Sequence, residues 1–206
     1  MNQQLPRSAA CERNQQVIFD EIKHYLIGVQ RVLEIGSCTG QHGEFLARHL
    51  PQMDWQLSDR EEYLAGLELR WRHAGLKNLQ PPKSLDVNAD SWLDKSTSYS
   101  AIYTAIYTAN TLHIMDKATS ENCLNGANQY LDSRGLLFVY GPFKYAGQFT
   151  SSSNEAFDAS LKARQFGDGI KDFEWVEEIL IDNRFELVRD IAMPANNQLL
   201  IWQLTD

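Results

Sequence analysis

The sequence predicts an α/β fold, in which a mostly parallel sheet has helices on both faces and ends in an antiparallel pair of strands. Segments with strand-like and helix-like hydrophobic patterns alternate along the chain. A short apolar strand at residues 31–35 runs into a glycine-containing turn and then a helix. Only residues 192–197 separate the last two strand-like segments, whereas a parallel crossover needs about a dozen residues.

The first half of the chain begins with two helix–strand alternations. Ile18, Ile22 and Leu26 recur at helical spacing, so they predict the apolar face of the first helix. Pro51 marks the end of the second helix. The segments predicted here are, in order, a helix over residues 13–27, a strand over 31–35, a helix over 41–50 and a strand over 55–58.

A third helix follows the second strand. Ser58 or Asp59 can cap its first turn, and Gly75 lies just past its end, as a left-handed cap does. A weaker third strand is predicted over residues 84–87. We expect one face of this helix to be lined by Tyr63, Leu67 and Trp71.

The second half continues the alternation and ends in the hairpin. Its first strand, residues 101–109, contains the tetrapeptide Ala-Ile-Tyr-Thr twice in succession. Because four is an even number, the duplication preserves which side chains share a face of the sheet. A turn is predicted at residues 132–135. The remaining segments are a helix over 117–131, a strand over 136–140, helices over 154–164 and 172–181, and strands over 185–191 and 198–203.

Composition narrows the class of protein. The chain has 206 residues, 27 acidic and 19 basic, with a net charge of −8 and 43% hydrophobic residues, which is typical of one globular domain over residues 1–206. Nucleic-acid-binding proteins carry basic stripes, and the densest basic patch is only Arg70-Trp71-Arg72-His73. We therefore expect a small-molecule partner and no nucleic acid.

Membrane and redox features point to the cytoplasm. The longest apolar run, residues 136–140, is far shorter than the roughly 20 residues of a membrane span, and residues 1–7 lack the apolar core of a secretory signal. Cys11, Cys38 and Cys123 are widely spaced and odd in number. This pattern favours reduced thiols over disulfides or a metal site. The oligomeric state is left open.

The turn after the first strand carries the chemical signal. Residues 32–42 read Val-Leu-Glu-Ile-Gly-Ser-Cys-Thr-Gly-Gln-His. Gly36 and Gly40 permit positive φ and close approach of a ligand, and the helix that follows offers unpaired N–H groups. Asp59 lies 19 residues after Gly40, where a doubly wound fold places a carboxylate over ribose hydroxyls. Turn and acid together indicate a nucleoside-type ligand.

The glycine spacing distinguishes between nucleoside cofactors. A dinucleotide turn requires Gly-x-Gly-x-x-Gly, but Cys38 occupies the middle position, so a nicotinamide-dependent oxidoreductase is disfavoured. Glu34 would repel a pyrophosphate, whereas a zwitterionic sulfonium cofactor tolerates it. The pattern Glu34-x-Gly36-x-x-x-Gly40 resembles motif I of class I S-adenosylmethionine (SAM) methyltransferases, whose Rossmann-like seven-stranded sheet ends in an antiparallel hairpin.

Further blocks resemble one family across essentially the whole chain. This is the domain of unknown function 938 family, a methyltransferase-like group that includes methyltransferase-like protein 26. Cys38 and the duplicated tetrapeptide depart from its pattern. The matching blocks are residues 8–14, 58–59, 85–87, 110–114, 140–143, 153–154, 157–158, 169–172 and 193–197.

The resemblance implies a SAM site and assigns residues to it. Methyl transfer from SAM to an unidentified small-molecule acceptor is the activity that it implies. The cofactor contacts that it implies are Glu34, Gly36 and Gly40 at the methionine end, Asp59 at the ribose, Asp86 and Val87 at the adenine, and Asn110 near the methionine amino group.

Other candidate residues have a functional and a structural interpretation. His113 can act as a general base or be a packed histidine, and Tyr140, the second candidate for catalysis, can wall an acceptor pocket with Phe143 or merely pack. Residues 12–14 form either a lid over the cofactor or a capping and salt-bridge cluster. Asn196-Asn197 is expected to make the hairpin turn.

Two functions remain open from sequence. The first is a SAM-dependent methyltransferase, in which the protein chiefly aligns acceptor and methyl group and excludes water. The second is a non-catalytic protein that binds SAM or S-adenosylhomocysteine. Motif I and Asp59 are expected in both. Residues 143–170, after the fifth strand, are the expected source of acceptor specificity.

Overall fold

A computed structural model of the protein describes residues 4–93, 103–164 and 167–206. The predicted strand at 101–109 therefore has its first two residues outside the described ones. The helices are α1 (Ala9–Ile22), α2 (Gln41–His49), α3 (Glu61–Ala74), α4 (Lys117–Gly126), α5 (Ser152–Ala163) and α6 (Phe173–Asp182). The strands are β1 (Arg31–Ile35), β2 (Asp54–Asp59), β3 (Leu79–Ser84), β4 (Tyr103–Ala109), β5 (Leu131–Gly141), β6 (Lys144–Tyr145), β7 (Gln148–Phe149), β8 (Phe185–Met193) and β9 (Asn197–Leu204).

Seven strands form one sheet in the order β3-β2-β1-β4-β5-β9-β8. β1 pairs with β2 and β2 with β3 in parallel, whereas β9 is antiparallel to both β5 and β8. β6 and β7 form a separate antiparallel hairpin that was not predicted from the sequence. The α/β class, with a mostly parallel sheet that ends in an antiparallel pair, is confirmed. In the described residues, no helix combines the length and apolar character needed to cross a bilayer.

The described residues cluster into two compact units. One consists of the described residues within Met1–Asp86 and Ser91–Tyr107, and the other of those within Val87–Asp90 and Thr108–Asp206. The core of the first unit includes Ile18, Leu33 and Trp55. The core of the second includes Phe138 and Trp202.

The first helix is shifted from its predicted position of 13–27. α1 begins at Ala9 because Ser8 caps it and accepts a hydrogen bond from the Cys11 N–H. It ends at Ile22, and a turn continues the chain to the buried Leu26. The apolar spacing was therefore read correctly, but its last repeat lies in a turn.

The third strand lies at residues 79–84, and the predicted strand at 84–87 is wrong. Proline has no N–H to donate to a neighbouring strand, so Pro81 and Pro82 give no local signal of a strand. β3 is the outermost strand beside β2, a position where proline is tolerated. The pairing register shifts between Gln56 and Ser58, and Gln56 Nε2 donates to the Pro81 carbonyl at 2.6 Å.

α3 differs from its predicted form at its start and on its inner face. Arg60 occupies the N-cap position without a side-chain capping bond, so neither Ser58 nor Asp59 is the cap. Gly75 has φ of 60° and is the left-handed C-cap, as predicted. Leu67 and Arg70 are buried, whereas Tyr63 is 39% exposed.

β5 begins earlier than predicted. The expected turn at residues 132–135 lies within the strand, where Arg134 has φ of 62°. Pairing with β9 runs from Leu136 to Gly141, and Gln203 Nε2 donates to the Arg134 carbonyl at 3.0 Å. The left-handed residue therefore kinks the strand without ending it. α4 ends at Gly126, five residues before the predicted 131, and a turn of 3-10 helix follows.

Candidate functional site

The turn between β1 and α2 has three alternating left-handed residues. φ is 72° at Gly36, 50° at Cys38 and 69° at Gly40. Glycine adopts this conformation without steric cost, whereas a cysteine does so with strain. Cys38 therefore keeps the backbone shape that a middle glycine would have. Its thiol has a pKa above the usual range because of burial and, after that, the nearby Asp59 charge.

Asp59, the last residue of β2, is fixed against this turn. The Cys38 N–H donates to Asp59 Oδ2 at 2.7 Å, and the Arg60 N–H donates to Oδ1 at 2.8 Å. The Ser37 N–H donates to the Ser58 carbonyl at 2.9 Å, which joins the turn to the end of β2. Burial raises the pKa of the Asp59 carboxyl, against the two N–H donors that lower it.

These residues fit a nucleoside ligand. Each Asp59 oxygen accepts one backbone N–H and keeps a lone pair for a hydroxyl donor. A Cβ at Gly40 would lie 2.9 Å from Arg70 Cδ and 3.0 Å from Leu67 Cδ2, so packing as well as φ requires glycine there. The arrangement presents a fixed pair of acceptor oxygens next to a left-handed turn in which Cys38 is exposed, as suits ribose recognition.

The Glu34 side chain lies on the α2 side of β1. Trp55 Nε1 donates to Glu34 Oε2 at 2.6 Å, and a Cβ at Gly43 would lie 2.5 Å from the same oxygen. Burial raises the pKa of this carboxyl to about 8, and the Asp59 charge adds to the effect. The buried carboxyl thus has a protein partner and faces helix α2. A contact with the methionine end stays a prediction.

Asp86 and Val87 follow β3. The Leu85 N–H donates to the Asp59 carbonyl at 2.9 Å, so the chain after β3 begins beside the end of β2. Asp86 is exposed, and Val87, which belongs to the second unit, is buried. Their contact with adenine stays a prediction.

In the second unit, Asn110 and Tyr140 are adjacent. Asn110 has φ of 58°, a conformation that asparagine tolerates better than most residues, and its N–H donates to the Tyr140 carbonyl at 2.8 Å. Asn110 is half-buried and Tyr140 is buried. The kink at Asn110 ends β4 and turns the chain toward His113.

His113 is a packed histidine in this structure. It lies in a turn of 3-10 helix (Leu112–Ile114). Its ring packs edge-on against the Phe157 ring, with the ring centroids 5.3 Å apart. Burial, and then the Lys171 charge, lowers the pKa of His113 to about 4. The imidazole is therefore neutral at pH 7, able to accept a hydrogen bond but a weak base. Its catalytic role stays a prediction.

The N-terminal and hairpin candidates make structural contacts, and the lid role of residues 12–14 stays a prediction. Glu12 pairs with Arg7 at 2.5 Å, and the buried Asn14 Oδ1 lies 2.7 Å from His42 Nε2. Both residues are inside α1, not before it. Asn196 has φ of 58° in the turn that joins β8 and β9, as predicted, and its carbonyl accepts from Asn154 Nδ2 at 2.9 Å.

The roles of three buried residues were not predicted from the sequence. Arg70 stands three positions after Leu67, so helical spacing placed a basic residue on the inner face of α3. Gly43 is three positions after Gly40, the spacing at which a doubly wound fold uses glycine for close helix–strand packing. Lys171 Nζ donates to the carbonyls of Met115 and Gly169 at 2.8 and 3.1 Å; the matching block 169–172 contains it, but no role was predicted for it.

Solved structures of methyltransferases resemble this chain. An O-methyltransferase family protein from Burkholderia thailandensis matches with a TM-score of 0.78 and 14% identity, over 96% of this chain and 58% of that one. Human N-acetylserotonin methyltransferase, in complex with SAM, matches with a TM-score of 0.78 and 11% identity, over 96% of this chain and 53% of that one. An O-methyltransferase family 2 protein from Planctomyces limnophilus, in complex with apigenin, matches with a TM-score of 0.71 and 13% identity, over 92% of this chain and 61% of that one.

These likenesses show the fold of the chain. The chain spans only 53–61% of the length of these three proteins. A family model described as "Protein of unknown function (DUF938)" matches residues 5–204. With that match and a methyltransferase-like sheet, the chain belongs to the DUF938 family.

Proposed function

We propose that the chain is a SAM-dependent methyltransferase that acts on a small-molecule acceptor. The observation that carries the proposal is the pairing of Asp59 with the Cys38 N–H, which fixes a carboxylate beside the left-handed turn Gly36–Gly40. A carboxylate at the end of β2 suits ribose hydroxyls, and the turn lets a ligand approach the backbone closely. The similar structures, one of them in complex with SAM, support the same cofactor.

The first unit supplies most of the proposed cofactor contacts. Asp59 accepts the ribose hydroxyls, the backbone of Gly36 and Gly40 borders the methionine end, and Asp86 accepts from the adenine amine. We propose that Glu34 supports the methionine end indirectly, through its backbone carbonyl and not through its carboxyl group. Its carbonyl accepts from the Ser58 hydroxyl at 2.6 Å, which holds the start of the turn.

Four further residues are candidates for cofactor or acceptor contacts. Val87 is proposed to pack on the adenine, and Asn110 to accept a hydrogen bond from the methionine amino group. When bound, SAM supplies an activated methyl group on a sulfonium for in-line transfer to a lone pair of the acceptor. Tyr140 is proposed to border the acceptor. His113, neutral at pH 7, is proposed to orient the acceptor through one ring nitrogen, which donates to an ionised hydroxyl or accepts from an amine.

The low pKa of His113 bears on the acceptor class. A base with a pKa of about 4 is too weak to deprotonate an alcohol or an ordinary phenol, because a useful catalytic pKa lies near the working pH. The proposed acceptor is therefore already nucleophilic, as an acidic hydroxyl or a free amine is. The apigenin bound to one similar structure supports including acidic phenols among the acceptors tested.

Thermal unfolding with candidate cofactors tests the proposal. S-adenosylhomocysteine at 100 times its Kd should add about 2.7 kcal/mol to the free energy of unfolding and raise Tm by roughly 5–10 °C. NAD and NADP at equal concentration should leave Tm unchanged. A shift with NAD alone would contradict the proposal.

A non-catalytic SAM-binding protein is the second candidate, and the packing of His113 against Phe157 favours it. Incubation of the protein with isotope-labelled SAM and a metabolite extract separates the two candidates. A labelled small-molecule product supports the enzyme. Binding of S-adenosylhomocysteine without any labelled product over many extracts supports the binding protein.

A further inference from the structure

The N-terminal strap, defined as residues 6–14, lies against the residues that hold the turn. The Ser8 N–H donates to Gln41 Oε1, and the Thr39 hydroxyl donates to the same oxygen at 3.1 Å. Gln41 Nε2 in turn donates to Glu12 Oε1 at 3.5 Å. One amide at the start of α2 thus joins the strap to the turn.

Arg70 makes a second and stronger connection. From α3, its guanidinium donates to the Thr39 carbonyl, to the Pro6 carbonyl and, at 2.7 Å, to Glu44 Oε2. The Arg70 side chain is only 7% exposed, and its stem covers Gly40. Three acceptors in different directions suit the planar guanidinium with its five N–H donors, whereas an ammonium is a compact point charge on a flexible stem.

A glycine on α3 gives an independent sign that the strap is docked. Gly66 lies inside the helix, where glycine costs about 1 kcal/mol relative to alanine. A Cβ at this position would lie 3.2 Å from Pro6 Cγ, so the missing side chain leaves room for the strap. The cost of this glycine is explained if docking of Pro6 matters to the protein.

We propose that Arg70 is a positioning residue of the cofactor site, which acts by holding the Thr39 carbonyl and the strap together. Thr39 lies between Cys38 and Gly40, so a fixed Thr39 carbonyl keeps both neighbours in their left-handed conformation. A turn held in advance binds its ligand without an ordering cost. The inference rests on the proposed function, because the ligand in question is SAM or its product.

The first test compares two arginines on the same helix. Arg70→Lys keeps the charge but loses the three-way contact, and we expect it to weaken S-adenosylhomocysteine binding about tenfold in calorimetry. Arg72→Lys is the matched control, because Arg72 is exposed and pairs with Glu68 one turn away. We expect Arg72→Lys to bind like the wild type.

The second test displaces the strap without substituting Arg70 or any residue of the turn. Gly66→Leu fills the space beside Pro6, and Ala65→Leu places the same side chain at an exposed position of α3. We expect faster tryptic cleavage after Arg7 and weaker S-adenosylhomocysteine binding in Gly66→Leu only. Leucine favours helix over glycine, so a role confined to helix stability would give the opposite result, a more resistant protein.

A double variant tests whether the two substitutions weaken binding through the same docked strap. Because Arg70→Lys and Gly66→Leu act through the same docked strap, their effects on binding should not add in the double variant. If the wild type binds S-adenosylhomocysteine and Arg70→Lys and Gly66→Leu bind it equally well, the positioning role is wrong and the proposed function stands. If the wild type fails to bind it, the proposed function fails and the positioning role fails with it.

Discussion

The indole of Trp55 donates a hydrogen bond of 2.6 Å to the buried carboxyl of Glu34, directly behind the turn that we assign to the cofactor. Glu34 is 2% exposed, and Gly43 of α2 closes the space in which its carboxyl lies. Burial disfavours the charged form of this carboxyl more than its neutral hydrogen-bond partners favour it, so its pKa rises to about 8. At neutral pH the side chain is therefore largely uncharged.

The raised pKa of Glu34 makes stability depend on pH. The unfolded chain releases this proton at a pKa near 4.5 and the folded chain only near 8, so wild-type stability falls as pH rises between these values. Glu34→Gln removes the titration. We expect the variant to gain on the wild type in urea unfolding as pH rises from 5 to 8, with no gain in the exposed control Glu62→Gln. Parallel pH curves for wild type and Glu34→Gln would show that the carboxyl is ionised throughout.

Cys38 predicts a second stability effect. Its φ of 50° costs a non-glycine residue strain of order 1 kcal/mol or more, which glycine does not have. We expect Cys38→Gly to raise the free energy of unfolding by about 1 kcal/mol and to keep S-adenosylhomocysteine affinity, because the Cys38 N–H to Asp59 is unchanged. Cys38→Ala, which removes the thiol but keeps the strain, should not be stabilised. Equal stability of the two variants would mean that the turn is unstrained.

Gly169 and Gly147 form a matched pair of left-handed glycines in the second unit. Their φ values are 81° and 74°, so alanine is strained at both. At Gly169 a Cβ would also lie 2.1 Å from Asp158 Oδ1, the oxygen that accepts the Ile170 N–H, whereas at Gly147 nothing lies within 4 Å. We expect Gly147→Ala to cost about 1–2 kcal/mol in urea unfolding and Gly169→Ala at least 2 kcal/mol more. Similar losses would contradict the close Asp158 contact.

The sequence predicted the parts of the fold that depend on local patterns. The apolar run of β1, the glycine turn and the short gap before β9 each leave a clear local signal, and the α/β class followed from them. β3 was misplaced because whether proline is tolerated depends on the strand's place in the sheet, which local pattern does not encode. The start of α1 was missed although Ser8 is a typical cap residue.

Only part of the candidate site was predicted from the sequence, for a similar reason. Asp59 was found by its distance from the turn, and it does lie against Cys38. The direction of the Glu34 side chain was not predictable, because it depends on Trp55 and Gly43 from neighbouring elements. Arg70 was noted only as part of the densest basic patch, since the sequence alone does not show that Pro6 and Thr39 offer it carbonyls.

Binding of S-adenosylhomocysteine to Asp59→Ala tests the central claim most directly. Asp54→Ala is the control, because Asp54 lies exposed at the opposite end of the same strand. We expect calorimetry to show wild-type affinity in Asp54→Ala and a loss of about 10- to 100-fold in Asp59→Ala, the equivalent of hydrogen bonds to a charged group. A wild-type chain that binds S-adenosylhomocysteine with an affinity unchanged by Asp59→Ala would contradict the account.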